Sequence, residues 1–588
     1  MARVLGLIGN CSYNALLEAG SVEWLCWPAP DSSFVFGPLL DRDRGGTFTV
    51  ALVGANEVHQ EYLENTNVLR TTFSGPDGAF ELIDFAPRFH SQERQFKPSM
   101  LVRILRPLHG NPSVKVQCRP VSDYGLTVAS SWRASNHIEF TGLPAPVRLT
   151  TNVPLSYVEQ ERPFLLQGDR HLVLTWGEPL EAGLEETAER FLERTVTYWR
   201  DWVKRTRVPR DFQREVIRSA LVLKLHQYED TGALLAATTT SLPEHPGSGR
   251  TWDYRFCWLR DSYFSLNAFE RLGHPDEMEL FLVYLRNLAY MNQGTLGPVY
   301  TITGGADAEE RELDHLAGFR GERPVRVGNQ AFTHVQNDVY GEMILAISRL
   351  LLDARFTGEL PASQAVELVG TLLAQIELRM EEPDAGLWEI RGERRLHSFS
   401  VLMHWAGARR AVEIAEGLGD EALAARGLAA AARARTVLEE RCWSEESGAL
   451  TQVAGEPQLD AAMLLALHFG FFEPGDLRAR THVKAIQRLL AVPGEYGLLR
   501  RYTVADDFGL PEAAFLACSF WLVEALQLVG LEDEARDLFQ KLLGLHNGLG
   551  LYSEDILPAT GEQSGNFPQT YSHVGLINAA FRLSRSWD

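Results

Sequence analysis

Four short segments of this 588-residue chain concentrate the side chains that handle sugars. They run from Arg250 to Asp261, from Gln336 to Glu342, from Gly386 to Arg391 and from Tyr552 to Asp555, and together they mix Trp and Tyr with Arg and carboxylates. Aromatic faces stack on pyranose rings, and charged side chains bind hydroxyls through strong hydrogen bonds. The same residue types also pack cores and start helices, so the palette by itself assigns no reaction.

Such segments need a scaffold that brings them to one place. Up to about residue 180 the apolar pattern is short and alternating, as in Ser113 to Cys118 and His171 to Trp176, with Gly, Pro and Asn between runs. This predicts an antiparallel β-sandwich over 1–180. From Leu184 to Thr206 the spacing of Leu192, Val196, Trp199, Trp202 and Val203 predicts a linker helix, within a connecting region 181–211. Beyond Phe212 the periodicity is helical, with stretches near 212–228, 261–272, 276–292, 334–354, 362–378, 401–417, 420–440, 458–468, 478–490, 512–529, 532–546 and 569–583. Twelve helices make six hairpins, and closing them in a ring over 212–588 gives an all-α (α/α)6 barrel whose loops build a pocket at one end.

Composition narrows the partners. The chain is 45% hydrophobic and 23% charged, which fits a folded protein, and its net charge of −21 is spread along the sequence, which repels polyanions and argues against nucleic acid. No apolar run reaches the length of a membrane span, and the N-terminus lacks the apolar core and cleavage site of a secretory signal, so the expectation is a cytoplasmic protein without a membrane partner. Cysteines 11, 26, 118, 257, 442 and 518 form no Cys-x-x-Cys pair, which points to buried thiols and to no metal or cofactor. No oligomeric state is read from the sequence.

Several ordered motifs carry a resemblance. Thr240-Ser241-Leu242-Pro243-Glu244, Trp252-Asp253-Tyr254, Trp258-Leu259-Arg260-Asp261, Leu387-Trp388-Glu389, and Gly561 to Gln569 followed by Ser572-His573 resemble glycoside hydrolase family fifteen, the glucoamylase and bacterial trehalase family. The resemblance spans nearly the whole chain, since Leu7 to Asn10 and Gly20 to Cys26 resemble the β-sandwich domain of prokaryotic members. It implies an inverting hydrolase that removes glucose from the non-reducing end of an α-glucoside, with Glu389 as acid and Glu554 as base. Inversion needs a protonated carboxyl at the glycosidic oxygen and an ionised one that activates water across the ring, about 6.5–9.5 Å apart. Trp388 would desolvate Glu389, and Arg391 would act against that if it points inward.

The resemblance further implies that Arg260 and Asp261 bind the terminal glucose, that Tyr254 and Trp258 support the acid and shape the pocket, and that Gln336, Asp338, Trp388 and Arg501 line it. Glu512 begins a Glu-x-x-Phe pattern of prokaryotic members and is equally a first-turn helix acid after Pro511. Asp555 and Glu562 read as surface acids. One departure stands out: Val401 sits where a Lys is common, which bears on recognition of the second sugar. His397 and His404 are expected to be packed or hydrogen-bonded.

The leading expectation is an exo-acting, glucoamylase-like enzyme that releases β-glucose from α-glucans or malto- and isomalto-oligosaccharides. The alternative within the family is a trehalase hydrolysing α,α-trehalose. A phosphorylase would use phosphate in place of a carboxylate base, so Glu554 argues against it, and a catalytically inactive carbohydrate-binding protein is disfavoured by retention of both carboxylates.

Overall fold

The structure, a computed structural model, describes residues 3–356, 360–473 and 475–587. Met1, Ala2 and Asp588, which bound the first and last regions expected above, lie outside the described residues, as do residues 357–359 and 474 of the helical region.

Up to Trp176 the chain builds two antiparallel sheets. One has seven strands, running from Gly6–Gly9 through Asn14–Glu18, Ser21–Cys26, Thr47–Leu52 and Ser113–Arg119 to Phe164–Leu165, with Phe34–Phe36 beside Ser21–Cys26. The other has eight and places Met100–Gly110 between Arg170–Trp176 and Gly78–Phe85. Alternation sets the faces: every second side chain of Thr47–Leu52 and Ser113–Arg119 is buried, and the register puts Phe48 opposite Cys118 and Val50 opposite Val116. These residues share one core with Phe73, Phe80, Leu82 and Leu105 of the second sheet, which makes the pair a sandwich.

After a short helix α1 (Leu155–Glu159), helix α2 (Leu184–Arg205) covers the outer face of the eight-stranded sheet. Its Ala188 and Leu192 pack on Ile83, Phe85, Val102, Ile104 and Val173. Glu185 and Glu186 in its first turn and Lys204 and Arg205 in its last suit the helix dipole.

Twelve helical units follow among the described residues: α3 (Gln213–His226), α4 (Leu259–Leu272), α5 (Pro275–Met291), α6 (Val339–Leu352), α7 (Ala362–Arg379), α8 (Ser398–Leu418), α9 (Glu421–Val437), α10 (Leu465–His468, entered through the turn Ala461–Leu464), α11 (Leu477–Leu490), α12 (Leu516–Leu528), α13 (Glu532–Leu543) and α14 (Thr570–Leu583). Helices α4, α6 and α8 each pack on the next, α8 meets the turn Ala461–Leu464 that leads into α10, α10 packs on α12 and α12 on α14, and α14 returns to α4, closing a ring. The other six lie outside it, so the chain forms the (α/α)6 barrel. Burial separates the two layers: α12 is buried all round from Leu516 to Leu526, whereas α13 buries one stripe of Ala535, Leu538, Phe539 and Leu542. Helices α6 and α8 touch backbone to backbone, since a Cβ on Gly407 would lie 2.5 Å from the Gly341 Cα.

Two expected helix starts move for a shared reason. Residues 334–338 precede α6 as a loop, and Ala514–Phe515 pair with Asp555–Ile556 as a short strand before α12. In both places the chain is held extended where it reaches the pocket. Val401 also corrects an expectation, being fully buried in the hydrophobic core of α8 and not at a pocket edge. No helix among the described residues is long and apolar enough to cross a membrane.

Candidate active site

The six inner helices present their N-terminal ends to one chamber. Trp258, Arg260 and Asp261 come from the start of α4, Phe515 from the residue before α12, and Gln569 and Tyr571 from the start of α14. Gln336 and Asp338 precede α6 and bind Arg260, Asp460 precedes α10 and accepts the Trp388 indole N–H at 2.8 Å, and Ser400 in α8 donates to Asp384 of the loop before Glu389. Tyr254, Leu387, Trp388, Glu389, Arg501 and Trp521 complete this inner chamber. Helix N-termini carry partial positive charge, which suits a pocket crowded with carboxylates.

Arg260 is the clamp of the site. Its guanidinium donates to Gln336 Oε1 at 2.7 Å, Asp338 Oδ2 at 2.8 Å and the Leu387 carbonyl at 2.8 Å, which ties three chain segments together. Asp261 beside it faces the chamber, and burial pushes its pKa up to about 7 against the pull of Arg260.

Glu389 sits on a strained turn with φ of 61°, a left-handed conformation costly for a non-glycine residue and typical of functional positions. Its loop is pinned by Asp384, which accepts from the Asn337 N–H at 2.7 Å, the Gly386 N–H at 3.0 Å and the Ser400 hydroxyl at 2.7 Å. Glu389 Oε1 accepts from the Trp258 indole at 2.6 Å and the Gln336 amide at 3.3 Å. The indole that donates to Glu389 is therefore that of Trp258, which the resemblance had given as a support of the acid, while the indole of its neighbour Trp388 donates to Asp460. Arg391 turns away to Glu310, at 2.8 and 3.1 Å, and lies over the Trp252 ring.

Glu554 is fully buried on a small three-stranded sheet formed by Ala514–Phe515, Asp555–Ile556 and Gln563–Ser564. Tyr254 donates its hydroxyl to Oε1 at 2.9 Å and the Asn566 N–H reaches Oε2 at 3.1 Å. Burial and the nearby Glu244 raise its pKa from 4.5 to about 8, while Arg501 and these two donors oppose the rise. The rings of Tyr254 and Trp258, with centroids 5.4 Å apart, stand between the two glutamates, one bonded to each.

A second, outer chamber adjoins the first and shares Tyr254, Trp388, Glu389 and Arg501 with it. Trp252, His334, Asp507 and Phe508 are among its other walls. Glu389 thus lies at the seam between two compartments. A larger hollow of about 1050 Å³ between α2 and the barrel is lined by paired charges such as Arg88 with Glu229 and Lys224 with Glu277 and by Phe89, Tyr198 and Trp202, and is touched by neither Glu389 nor Glu554.

Of the residues expected at the site, Tyr254, Trp258, Arg260, Asp261, Trp388, Glu389 and Arg501 line the inner chamber, and Gln336, Asp338 and Glu554 are bonded to its walls. Glu512 is not brought there: its side chain is 77% exposed and lies 4.0 Å from His245. Asp555 is fully buried beside Glu554 and is no surface acid, whereas Glu562 is exposed. His404 donates its Nε2–H to the Asn337 carbonyl, and His397 is packed against Gly386. Sequence reasoning missed Phe515, Trp521, Gln569 and Tyr571, although the last two flank the start of α14 directly after the recognised Asn-Phe-Pro element. It also gave no role to Glu244, which with Glu554 and Asp555 forms a grouping of three carboxylates whose oxygens lie within 4.8 Å of one another. Arg501 and Arg250 supply the cationic partners of that grouping.

The family described as Glycosyl hydrolases family 15 matches residues 211–581, and the one described as Trehalase-like, N-terminal matches residues 2–157. The chain is 35% identical to a trehalase of Mycolicibacterium smegmatis, over 99% of this chain and 91% of that one. It is 34% identical to a trehalase of Mycobacterium tuberculosis, over 97% and 87% respectively. A bacterial glucoamylase solved with acarbose superposes with a TM-score of 0.71 at 14% identity, over 99% of this chain and 94% of that one, and so shares the fold. With the family match spanning most of the chain, this protein belongs to glycosyl hydrolase family 15 and is a glycoside hydrolase.

Proposed function

We propose that the protein is a trehalase, hydrolysing α,α-trehalose with inversion at one anomeric carbon. The observation that carries this reading is its full-length similarity, at 34–35% identity, to two proteins named trehalases. This favours the alternative drawn from the sequence over the glucoamylase-like reading. Two chambers that meet at Glu389 also suit a disaccharide, one ring in each. Six unpaired, buried cysteines suit the reducing cytoplasm.

In this reading the sugar to be attacked stacks in the inner chamber, where Arg260 and Asp261 bind its hydroxyls. Glu389 Oε1 is occupied by the Trp258 and Gln336 donors, which leaves Oε2 to carry the proton to the glycosidic oxygen at the seam. Glu554, which in its ionised form accepts from the Tyr254 hydroxyl and the Asn566 amide, takes a proton from the water that attacks the anomeric carbon. One glucose leaves as the β anomer and the other keeps its α configuration.

A glucose-release panel tests the substrate. With trehalose, maltose, maltotriose, isomaltose and kojibiose at equal concentration, kcat/KM for trehalose exceeds the others by at least about tenfold, the gap a site built for a given set of hydroxyls sustains. A preference for maltose or maltotriose of that size would restore the glucoamylase-like reading.

A further inference from the structure

The carboxylate neighbours of Glu554 are more numerous than a single proton acceptor requires, and they are not alike. Glu244 is bound by Arg501 through two nitrogens, one at 3.4 Å and the other closer still, accepts the Trp252 indole N–H at 3.0 Å, and has Arg250 at 3.9 Å. It is thus paired with cations. Asp555 has no hydrogen-bond partner on either carboxyl oxygen, and burial, Glu554 and Glu244 all push it toward its protonated, neutral form. The chain fixes this arrangement through the backbone, since the Gly565 N–H bonds the Pro243 carbonyl at 2.8 Å and so ties the strand Gln563–Ser564, which pairs with Asp555–Ile556, to the Glu244 loop.

The charged and titratable groups around Glu554 can therefore be counted by element. The loop 244–254 brings Glu244, Arg250 and Tyr254, the segment at 501 brings Arg501, and the Glu554 strand itself brings Asp555. Among the described residues Arg501 is the cation that acts most strongly on Glu554, and Glu244 claims its hydrogen bonds. We infer that Glu244 is a positioning residue for the base: it binds the Arg501 charge that would otherwise pair with Glu554, and so leaves Glu554 the stronger proton acceptor. A base whose proton affinity lies near the working pH is the more effective one, because it must both be ionised and take a proton readily.

The inference rests on Glu554 being the base. The test uses α-D-glucosyl fluoride, whose leaving group needs no proton, so the acid limb of the kcat/KM profile reports the base alone and does not depend on which disaccharide the enzyme prefers. In Glu244→Gln the negative neighbour is gone and Arg501 is released, and the acid limb moves to lower pH by about one unit or more. Glu244→Asp, which keeps the charge, leaves the limb near its wild-type position. A limb that stays put in Glu244→Gln while the rate simply scales down would make Glu244 a structural ion-pair member and overturn the inference. If that variant does not fold, Arg250→Gln serves: stripping one cation from Glu244 moves the limb to higher pH, and an unmoved limb is again contradictory. Glu554→Gln hydrolysing the fluoride at the wild-type rate would instead remove the base assignment on which the inference stands.

Discussion

Glu389 and Glu554 differ in ways that one substitution each can expose. Glu389 is at the seam of two chambers on a strained turn, partly open to them, whereas Glu554 is fully enclosed and bonded to a tyrosine and a backbone amide. Both Glu389→Gln and Glu554→Gln are expected to fold and to lose about 10²–10⁴ of kcat on the disaccharide, since each removes a proton transfer. They separate on α-D-glucosyl fluoride, where Glu389→Gln keeps most of its rate and Glu554→Gln does not. Equal losses on both substrates would contradict the division of roles. The wild-type acid limb also has a sign: activity needs ionised Glu554, so kcat/KM falls as pH drops through a value raised from 4.5 toward 8. The sequence made the two glutamates and the Arg260-Asp261 pair legible because each sits inside a compact motif. Glu244 and Asp555 were not legible, because their burial arises only when loops about 300 residues apart meet, and an acid that follows a proline, as Glu244 does, or another acid, as Asp555 does, looks like any surface acid.

Helices carry the next layer of the account. Periodicity revealed twelve of them because the inner ones are apolar nearly all round and the outer ones carry a single stripe, two patterns that differ from alternating strands. It misplaced starts near 334 and 512, where a few residues stay extended so that Gln336 and Phe515 reach the chamber. The ring itself depends on close approach of neighbouring inner helices. At the α6 and α8 crossing a methyl group on Gly407 would strike the Gly341 backbone, and one on Gly341 would come 2.0 Å from the Met403 carbonyl oxygen. Gly407→Ala therefore costs about 1–3 kcal/mol despite alanine's higher helix propensity, and a thermal melt shows an earlier transition. An unchanged or raised melting temperature would show that the two helices slide apart freely.

At the scale of the molecule, the sandwich, α2 and the barrel are joined by one buried charge network. Lys224 Nζ lies 2.7 Å from Glu229 and 2.9 Å from Glu277, Arg88 from the sheet region also binds Glu229, and Trp202 of α2 stacks on His274 at 4.0 Å and donates to Glu277 at 3.2 Å. Burial works against ionised Glu229, yet Lys224 and Arg88 outweigh it and hold its pKa at about 2. That stability is present above the usual glutamate value and is lost as pH falls toward 2. Lys224→Met strips the ammonium from buried Glu277 and leaves Glu229 to Arg88, so it lowers stability by about 3–5 kcal/mol and moves acid unfolding to higher pH. A variant with unaltered heat and acid transitions would show that the network does not join these parts. In the proposed reaction the two carboxyls act from opposite sides of one sugar, and the stereochemistry of the products reports on that directly. Proton NMR of the first turnovers with α,α-trehalose, recorded before mutarotation, is expected to show β-glucose and α-glucose in equal amounts, one from each half of the substrate. Release of α-glucose alone would mean retention, and with it a covalent intermediate in place of the water-activating role given to Glu554.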